Sequence, residues 1–470
     1  MMNGYRIETD SLGAVKVPQQ AYYGAQTKRA FDNFPISNLR MNREMIRSLG
    51  IVKWAAAVSN MQLGLLDESV GNAIITAAHE VIDGEFDDDF IVDVYQTGSG
   101  TSTNMNANEI IANRAIEILG GKIGTKNPVH PNDHVNKCQS SNDVFPSSIH
   151  IAALEMIEKK LITDLKLLHE TLTQKANAFH NIFKIGRTHL QDAVPIRLGQ
   201  EFSGYASQIE HGIQRIKSVR LHLRELALGG TAVGTGLNAD PQFAELAIDK
   251  ISNYTGIRFV AAPNRFEALA TRDALVETSG QLKTVAVSLM KIANDLRWLS
   301  SGPRCGIGEI TLPALQPGSS IMPGKVNPVI PESVMMLCAT VMGNDTAITI
   351  GGQHGNFELN VMMPMMARHL LESIKLLANG ARNLSTQCVN YIEVNAERTA
   401  AYVENSLAFA TALAPRIGYD RAVEIAKQAH NSNKTIRQVL KEQHLLPEHE
   451  LEHVLDLARL TGSSGPDSDG

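Results

Sequence analysis

The chain is organised by long stretches in which apolar residues return at every third or fourth position. The first stretch starts at Ile151, and its apolar positions continue at Leu154, Ile157, Leu161, Leu165, Leu168 and Leu172. The second starts at Phe202 and continues at Tyr205, Ile209, Ile213, Ile216, Val219 and Leu223. This period places the apolar side chains on one face of an α-helix. Both stretches are therefore predicted to form amphipathic helices.

A third stretch has a more regular spacing, and two further helices follow it. Its apolar residues are Leu282, Val285, Leu289, Ile292, Leu296 and Leu299. This near-heptad pattern favours long helices that pack at shallow angles. Helices are also predicted over Glu332–Met342 and Met363–Leu384. Five helices of this kind form a bundle too elongated for a compact monomer, so we expect a homo-oligomer.

The two ends of the chain differ from this central bundle. Residues 1–141 mix helical stretches, such as Arg43–Leu65 and Glu68–Ile82, with loops rich in Gly, Ser and Asn. Residues 396–470 form a short helical piece that ends in TGSSGPDSDG, a composition typical of disorder. We therefore predict a mainly α fold in three parts: a mixed N-terminal domain over 1–141, the bundle over 142–395, and a small C-terminal domain over 396–470.

Composition excludes some classes of protein. A formal net charge of -6 argues against nucleic acid or an anionic membrane as the main partner. The four cysteines lie far apart and form no CxxC pair, so neither a metal site nor a cofactor cluster is indicated. No secretory signal and no uninterrupted apolar run of membrane-spanning length is recognised. The cytoplasm is the expected location.

Four polar loops interrupt the helical pattern, and two of them precede predicted helices. The loop QTGSGTSTNMNAN over 96–108 offers flexible glycines and neutral donors. A capped helix start explains it as well as a carboxylate-binding helix N-terminus does. The loop HPNDHVNKCQSSN over 130–142 is open to the same two interpretations, because a capped turn at Asp133 and His134 is followed by polar residues before a long helix.

The other two loops carry groups suited to proton transfer and charge neutralisation. The loop GRTHLQDAVP over 186–195 contains Thr188 and His189, which are expected to precede a helix. Histidine is the side chain best matched to proton transfer near neutral pH, although a lone histidine is more often structural. The segment GSSIMPGKVNPVIPE over 318–332 contains Lys325 and places Glu332 in the first turn of a helix. Used together, the four loops fit a site for a small dianion.

These motifs resemble those of a known family. The segment GSSIMPGKVNP is similar to the signature of the fumarase/aspartase superfamily. The segments TGSGTSTNMN, HPNDHVN, GRTHLQDA, GGTAVGTGLN, FEALATRDAL and GPRCGIGEI resemble class II fumarases at corresponding places, and the similarity runs from about Tyr5 to about Gln443. Aspartate ammonia-lyases are the closest alternative, but they typically carry Gln in place of His189 and favour IMPAKVNP.

The resemblance implies a fold, an activity and a set of site residues. It implies a tetramer whose active sites are each shared by three subunits, with no metal or other cofactor, and reversible hydration of fumarate to L-malate through an aci-carboxylate. The catalytic residues that it implies are His189, Ser319, Lys325 and Glu332. The substrate-binding residues that it implies are Ser99, Gly100, Thr101, Ser140, Ser141, Asn142, Thr188, Ser320, Lys325, Val326 and Asn327.

A second, non-catalytic anion site is also implied by the resemblance. Its residues are His130, Pro131, Asn132 and Asp133. In the family pattern an arginine stands three residues before the histidine, and this chain has Asn127 there with Lys126 beside it. The departure removes one cationic group that the family pattern supplies.

Overall fold

The computed structural model describes residues 4–462 and is mainly helical, as the sequence predicts. Ten short strands in this range pair two by two. They are β1 (Tyr5–Asp10), β2 (Gly13–Pro18), β3 (Phe183–Thr188), β4 (Gln191–Arg197), β5 (Glu225–Leu226), β6 (Val260–Ala261), β7 (Ile310–Thr311), β8 (Gly355–Asn356), β9 (Leu359–Asn360) and β10 (Glu393–Val394). The pair β5–β6 is parallel, whereas β1–β2, β3–β4, β7–β10 and β8–β9 are antiparallel.

The N-terminal part is built mainly from five helices. They are α1 (Ala25–Asn33), α2 (Arg43–Gln62), α3 (Glu68–Asp83), α4 (Thr101–Ile118) and α5 (Ser141–Met156). The helices predicted at Arg43 and Glu68 are confirmed by α2 and α3. These two helices pack closely because Gly50 lies against Ile82, where an added Cβ atom would come within 2.8 Å of Cγ1.

Eight further helices follow, and five of them are long. They are α6 (Ile162–Ala178), α7 (Leu198–Ser218), α8 (Arg220–Leu223), α9 (Phe243–Thr255), α10 (Arg265–Ala270), α11 (Asp273–Leu299), α12 (Val329–Gly352) and α13 (Met363–Gln387). A π-helical turn over Ile157–Leu161 joins α5 to α6. All apolar positions of the three periodic stretches are buried, which confirms the helix faces predicted from the spacing.

The C-terminal part has its own hydrophobic core. Its helices are α14 (Ala396–Asn405), α15 (Ala410–Ile417), α16 (Tyr419–Ser432), α17 (Ile436–Gln443), α18 (Glu448–Val454) and α19 (Leu457–Leu460). Buried residues such as Phe409, Leu413, Ile425 and Val439 belong to one apolar cluster. The tail that was expected to be disordered lies almost entirely outside the described residues.

Helix α12 is apolar enough, by length and composition, to be a candidate membrane span. The core helix of a soluble protein passes the same test, so a single candidate is a weak indication. Its Asp345 is buried and accepts hydrogen bonds from Ser279 (2.8 Å) and Lys283 (2.6 Å) of α11. The helix is longer than the predicted 332–342 because its C-terminal half is rich in small and β-branched residues that give no clear period.

Tertiary contacts group the chain into two compact units. The first comprises Met1–Thr163, Ile213–Ala286 and Leu337–Asn379, and the second comprises Asp164–Gly212, Val287–Met336 and Gly380–Gly470. The boundaries fall within the five long helices. The three-part division expected from the sequence is a different partition and stays a prediction.

Candidate active site

In the second unit, Thr188 and His189 lie at the tip of the hairpin formed by β3 and β4. Thr188 pairs with Gln191, so the connecting loop consists of His189 and Leu190 alone. Both loop residues have a left-handed backbone, with φ of 57° and 60°. This region is costly for residues other than glycine and often marks functional sites. The hairpin thus presents an exposed imidazole on a short, conformationally restricted turn.

The sequence placed these two residues before a helix, and that prediction was wrong. The strand β4 follows the turn, and α7 begins only at Leu198. The physical reason is that the strands carry polar residues on the buried side as well as the exposed side. Lys184 in β3 is 1% exposed, so the usual alternation of apolar and polar residues is absent.

A buried carboxylate anchors strand β3 of this hairpin. Glu309 is 0% exposed and accepts two hydrogen bonds from the Arg187 guanidinium, at 3.0 and 2.9 Å. The Lys184 ammonium lies 3.4 Å from Glu309 and 3.2 Å from Glu201. Burial raises the pKa of Glu201, and the attraction of Lys184 opposes that shift. Sequence reasoning missed these anchors, although Glu309 belongs to the quoted segment GPRCGIGEI.

The segment Gly318–Pro328 in the same unit is an exposed loop with an internal hydrogen-bond framework. The Ser319 Oγ atom accepts hydrogen bonds from the backbone N–H groups of Ile321 (3.2 Å) and Met322 (2.9 Å). Two N–H donors on one hydroxyl oxygen are the arrangement that would stabilise negative charge there. The loop is closed by the N–H of Gly318, which donates to the carbonyl of Lys325 at 2.8 Å.

The remaining polar groups of this loop are held by one another. The Lys325 ammonium donates to Asn327 Oδ1 at 2.7 Å, and Asn327 Nδ2 donates to the carbonyl of Gly318 at 2.7 Å. Ser320 and Val326 are exposed on the same loop. Glu332 lies in the first turn of α12, as predicted, and is partly exposed. Among the described residues, no hydrogen bond or ion pair joins His189 to Ser319 or Glu332.

In the first unit, Ser99, Gly100 and Thr101 lie at the start of α4. The N-cap residue is Gly100, which has no side chain to cap the helix, and its φ is 75°. The hydroxyls of Ser99 and Thr101 hydrogen-bond to each other at 2.8 Å. Gln96 caps the helix partly, because its Oε1 accepts from the N–H of Thr103 at 2.9 Å. Capping by a serine or threonine therefore does not explain this loop.

Ser140, Ser141 and Asn142 lie at the start of α5 in the same unit. Ser140 is the N-cap residue and forms a capping box with Asp143. The Asn142 side-chain amide donates to the carbonyl of Ala232 at 2.8 Å, which ties this helix start to the segment GGTAVGTGLN. The capped helix start does not exclude carboxylate binding at this loop, because a capped helix N-terminus still carries a positive partial charge.

The first unit brings these two helix starts together. Asn104 Nδ2 lies 3.5 Å from Ser141 Oγ, and an added Cβ on Gly100 would come within 2.3 Å of the Phe145 ring. Only glycine allows α4 and α5 to approach this closely at that point. Two helix N-termini lined by hydroxyl and amide groups can bind a carboxylate through neutral donors.

The residues of the predicted second anion site form a tight turn. His130 Nδ1 accepts from the N–H groups of Asn132 and Asp133, each at 3.2 Å, and Pro131 begins a π-helical turn. His134 Nδ1 accepts in turn from the N–H of His130 at 2.9 Å. Lys126, which stands near the missing arginine, donates to the carbonyl of Thr9 at 2.5 Å. A capped turn is therefore present, and its capping side chains are His130 and His134, where the sequence predicted Asp133 and His134.

Comparison with known proteins connects this geometry to a family. A profile described as Lyase matches residues 13–343, and one described as Fumarase C C-terminus matches residues 409–462. The class II fumarate hydratase of Nitrosomonas europaea is 56% identical over 437 residues, which cover 93% of this chain and 95% of the relative. The mitochondrial fumarate hydratase of Danio rerio is 54% identical, over 95% of this chain and 88% of that protein.

A solved structure agrees with these relatives. The crystal structure of a class II fumarase from Schistosoma mansoni has a TM-score of 0.95 at 39% identity, covering 98% of this chain and 100% of that one. The protein described here is thus a lyase with the fold of the fumarase/aspartase superfamily. Within that superfamily, it belongs to the class II fumarate hydratase family. The family resemblance seen in the sequence is confirmed.

Proposed function

We propose that the chain catalyses the reversible hydration of fumarate to L-malate, a step of the tricarboxylic acid cycle. The structural observation that carries the proposal is the Ser319 hydroxyl, whose oxygen accepts two backbone N–H groups. A serine is a weak base unless its oxyanion is stabilised, and these donors supply that stabilisation. Identity above 50% to named fumarate hydratases over most of the chain supports the same substrate.

The proposed mechanism starts with loss of a carbon-bound proton from L-malate. The Ser319 oxyanion takes this proton and becomes a neutral hydroxyl, and the electron pair of the broken C–H bond moves onto the adjacent carboxylate to give an aci-carboxylate. Lys325 and Asn327 are proposed to stabilise that charge, and the hydroxyl and amide groups of Ser140, Ser141 and Asn142 are proposed to bind a carboxylate of the substrate. Donors aimed at charge that develops in the transition state are commonly the largest catalytic contribution.

The second step expels the hydroxyl group from the neighbouring carbon. His189, polarised by Glu332, is proposed to donate a proton to the departing hydroxide, so that water leaves and the double bond forms. In the hydration direction the same imidazole accepts a proton from water. Histidine suits this exchange because its ordinary pKa lies near neutral pH.

We propose that the enzyme is a homotetramer whose active sites are shared between subunits. Helix α12 supports this, because exposed and uncharged residues follow one face along it, among them Ala339, Gly343, Thr346 and Ile350. Such a face is suited to pack against another helix. A multi-subunit site would also account for the lack of a direct bond between His189 and Ser319. We propose a cytoplasmic location, as expected from the sequence.

The activity is tested by the ultraviolet absorbance of the fumarate double bond, followed in parallel with L-malate and L-aspartate. We expect fumarate to form from L-malate and not from L-aspartate. Ser319→Ala should abolish turnover, whereas Ser432→Ala, which changes an exposed serine on α16, should leave it unchanged. Faster release of fumarate and ammonia from L-aspartate would establish an ammonia-lyase instead.

The shared site is tested by mixing two inactive variants. Subunits with His189→Asn and subunits with Asn142→Ala are refolded together and separately. If each site draws on several subunits, hybrid tetramers contain some sites with both intact residues, and activity returns only in the mixture. Light scattering on the full chain measures the oligomer. Activity in a monomer, or no recovery in verified hybrids, would reject subunit sharing.

A further inference from the structure

A buried lysine lies behind the helix starts of the first unit. Lys53 belongs to α2 and is 0% exposed. Its ammonium donates to Asn136 Oδ1 at 3.0 Å and to Gln139 Oε1 at 2.9 Å, which are both neutral acceptors. Within the described part of the chain, no carboxylate lies within ion-pair distance of it. A buried charge without a close counter-charge is expensive and is usually retained for a reason beyond packing.

The lysine is connected to both polar helix starts through a single amide. Asn136 Oδ1 accepts not only from Lys53 but also from Asn104 Nδ2 (3.2 Å) and Asn108 Nδ2 (3.1 Å) of α4. Asn104 in turn approaches the hydroxyl of Ser141. The segment that leads into α5 is therefore tied to the start of α4 through the amide that the ammonium contacts.

The other side of the same segment is held by a buried carboxylate. Asp143 Oδ1 accepts from the N–H of Ser140 at 2.9 Å, and its Oδ2 accepts from the N–H groups of Gly229 and Thr231 at 3.0 and 2.9 Å. Residues 140–142 are thus fixed between a cationic group on α2 and an anionic group on α5. Both charges are fully buried.

The electrostatics of the pair favour an additional anion nearby. Burial lowers the pKa of Lys53 to about 7, and the attraction of Asp143 opposes that shift. Burial also raises the pKa of Asp143 to about 6, against its backbone hydrogen bonds and the attraction of Lys53. A carboxylate bound at the two helix starts would favour the charged form of the lysine and would be attracted by it.

We propose that Lys53 is a positioning residue for the substrate. Its ammonium fixes the segment that carries Ser140, Ser141 and Asn142 against the start of α4, and it adds positive charge behind the carboxylate that these residues bind. The inference rests on the proposed function, and it assigns to Lys53 a role in binding the dianion and not in proton transfer.

Steady-state kinetics of Lys53→Met test this role in the full-length enzyme. Methionine keeps most of the volume and removes the charge. Because the ammonium acts on substrate binding in both the ground state and the transition state, KM for fumarate and L-malate should rise about tenfold or more. The turnover number should change less than threefold. The inhibition constant of succinate, a dicarboxylate without a double bond or hydroxyl group, should rise by the same factor as KM.

A matched control separates binding from stability. Leu49→Ala changes a fully buried residue of the same helix and creates a cavity without touching the polar network. It should lower the melting temperature and leave KM unchanged. An equal rise of KM in Leu49→Ala would show that any weakening of α2 has this effect and would overturn the proposal. So would an unchanged KM in Lys53→Met.

A second variant covers the case in which Lys53→Met does not fold. Asn136→Asp keeps the lysine and places a carboxylate beside its ammonium, which cancels the charge, so KM should again rise about tenfold. An unchanged KM in this variant also overturns the proposal. Wild-type turnover of L-malate tests the proposed function alone, and the ratio of variant to wild-type KM tests the role of Lys53.

Discussion

The substitution Glu309→Gln tests whether the buried carboxylate positions the hairpin that carries His189. Glu309 faces Arg187 and Lys184, and both Glu309 and Lys184 are almost completely shielded from solvent. Removing one partner of a buried ion pair typically costs about 3–5 kcal/mol, because the other charge is left without compensation. Lys184 keeps Glu201 at 3.2 Å, so we expect the lower end of that range, about 3 kcal/mol.

The effect on catalysis follows from the geometry of the hairpin. Arg187 is two residues from His189, and the turn between β3 and β4 consists of His189 and Leu190 alone. A displacement of about 1 Å at a catalytic group can cost roughly a hundredfold in rate. We therefore expect kcat/KM for L-malate to fall at least about tenfold in Glu309→Gln, with kcat falling more than KM rises.

Two measurements on the same preparations check this prediction. Scanning calorimetry at a fixed scan rate gives the change in melting temperature, and the absorbance assay gives kcat and KM. The control is Arg421→Ala, which removes an ion pair with Glu424 in which both side chains are exposed. That pair should contribute less than about 1 kcal/mol. If Glu309→Gln matches the wild type in both stability and kinetics, the anchoring role is refuted.

The remaining predictions concern individual residues of both units. His189→Asn should lower kcat by about 10²–10⁴, the usual worth of a positioned acid or base, and wild-type turnover would remove His189 from the mechanism. Gly100→Ala should raise KM and lower the melting temperature, because its left-handed backbone and the Phe145 ring both oppose a Cβ atom; Gly64→Ala, which has a similar φ of 69° but open space around it, should cost only the backbone strain and leave KM unchanged. The hydrogen bond to Glu277 raises the pKa of His222. The protonated histidine therefore stabilises the folded protein fully below the ordinary pKa of histidine, and this stabilisation is lost as pH rises through the raised pKa. The melting temperature of His222→Gln should therefore be lower than that of the wild type at about pH 5.5 and equal to it at about pH 9. His130→Asn should leave kcat for L-malate unchanged, and a large loss would assign the 130–133 turn to the reaction.

The long helices were predictable because their burial depends on local spacing. The periodic apolar positions from Leu282 to Leu299 all lie in helix α11 and are buried, since their spacing places them on one face of the helix. Helix α12 was predicted too short, because residues such as Gly343 and Thr346 carry no amphipathic period. The small, uncharged residues at these positions indicate a packing surface only once the structure shows that they lie on the exposed face of the helix.

The hairpin and the lysine network could not be predicted in the same way. Lys184 and Lys53 look like surface residues in the sequence, and their burial depends on partners that are distant along the chain. Glu309 lies 122 residues after Arg187, and Asn136 lies 83 residues after Lys53. The polar motifs could be found from their residue types, but the contacts that hold them follow only from the tertiary structure.

The register of β3 against β4 limits how this part of the gene can change. Side chains in a strand alternate between two sides, so inserting or deleting one residue between Lys184 and His189 would turn the lysine out of the interior or the imidazole away from its present direction. Substitutions here can be absorbed by neighbouring side chains, whereas a change in length shifts the register of β3 against β4, which already has one irregularity between Ile185 and Arg187. We expect natural variants and tolerated library members to differ from this chain in residue identity over 184–191 and to keep the same number of residues.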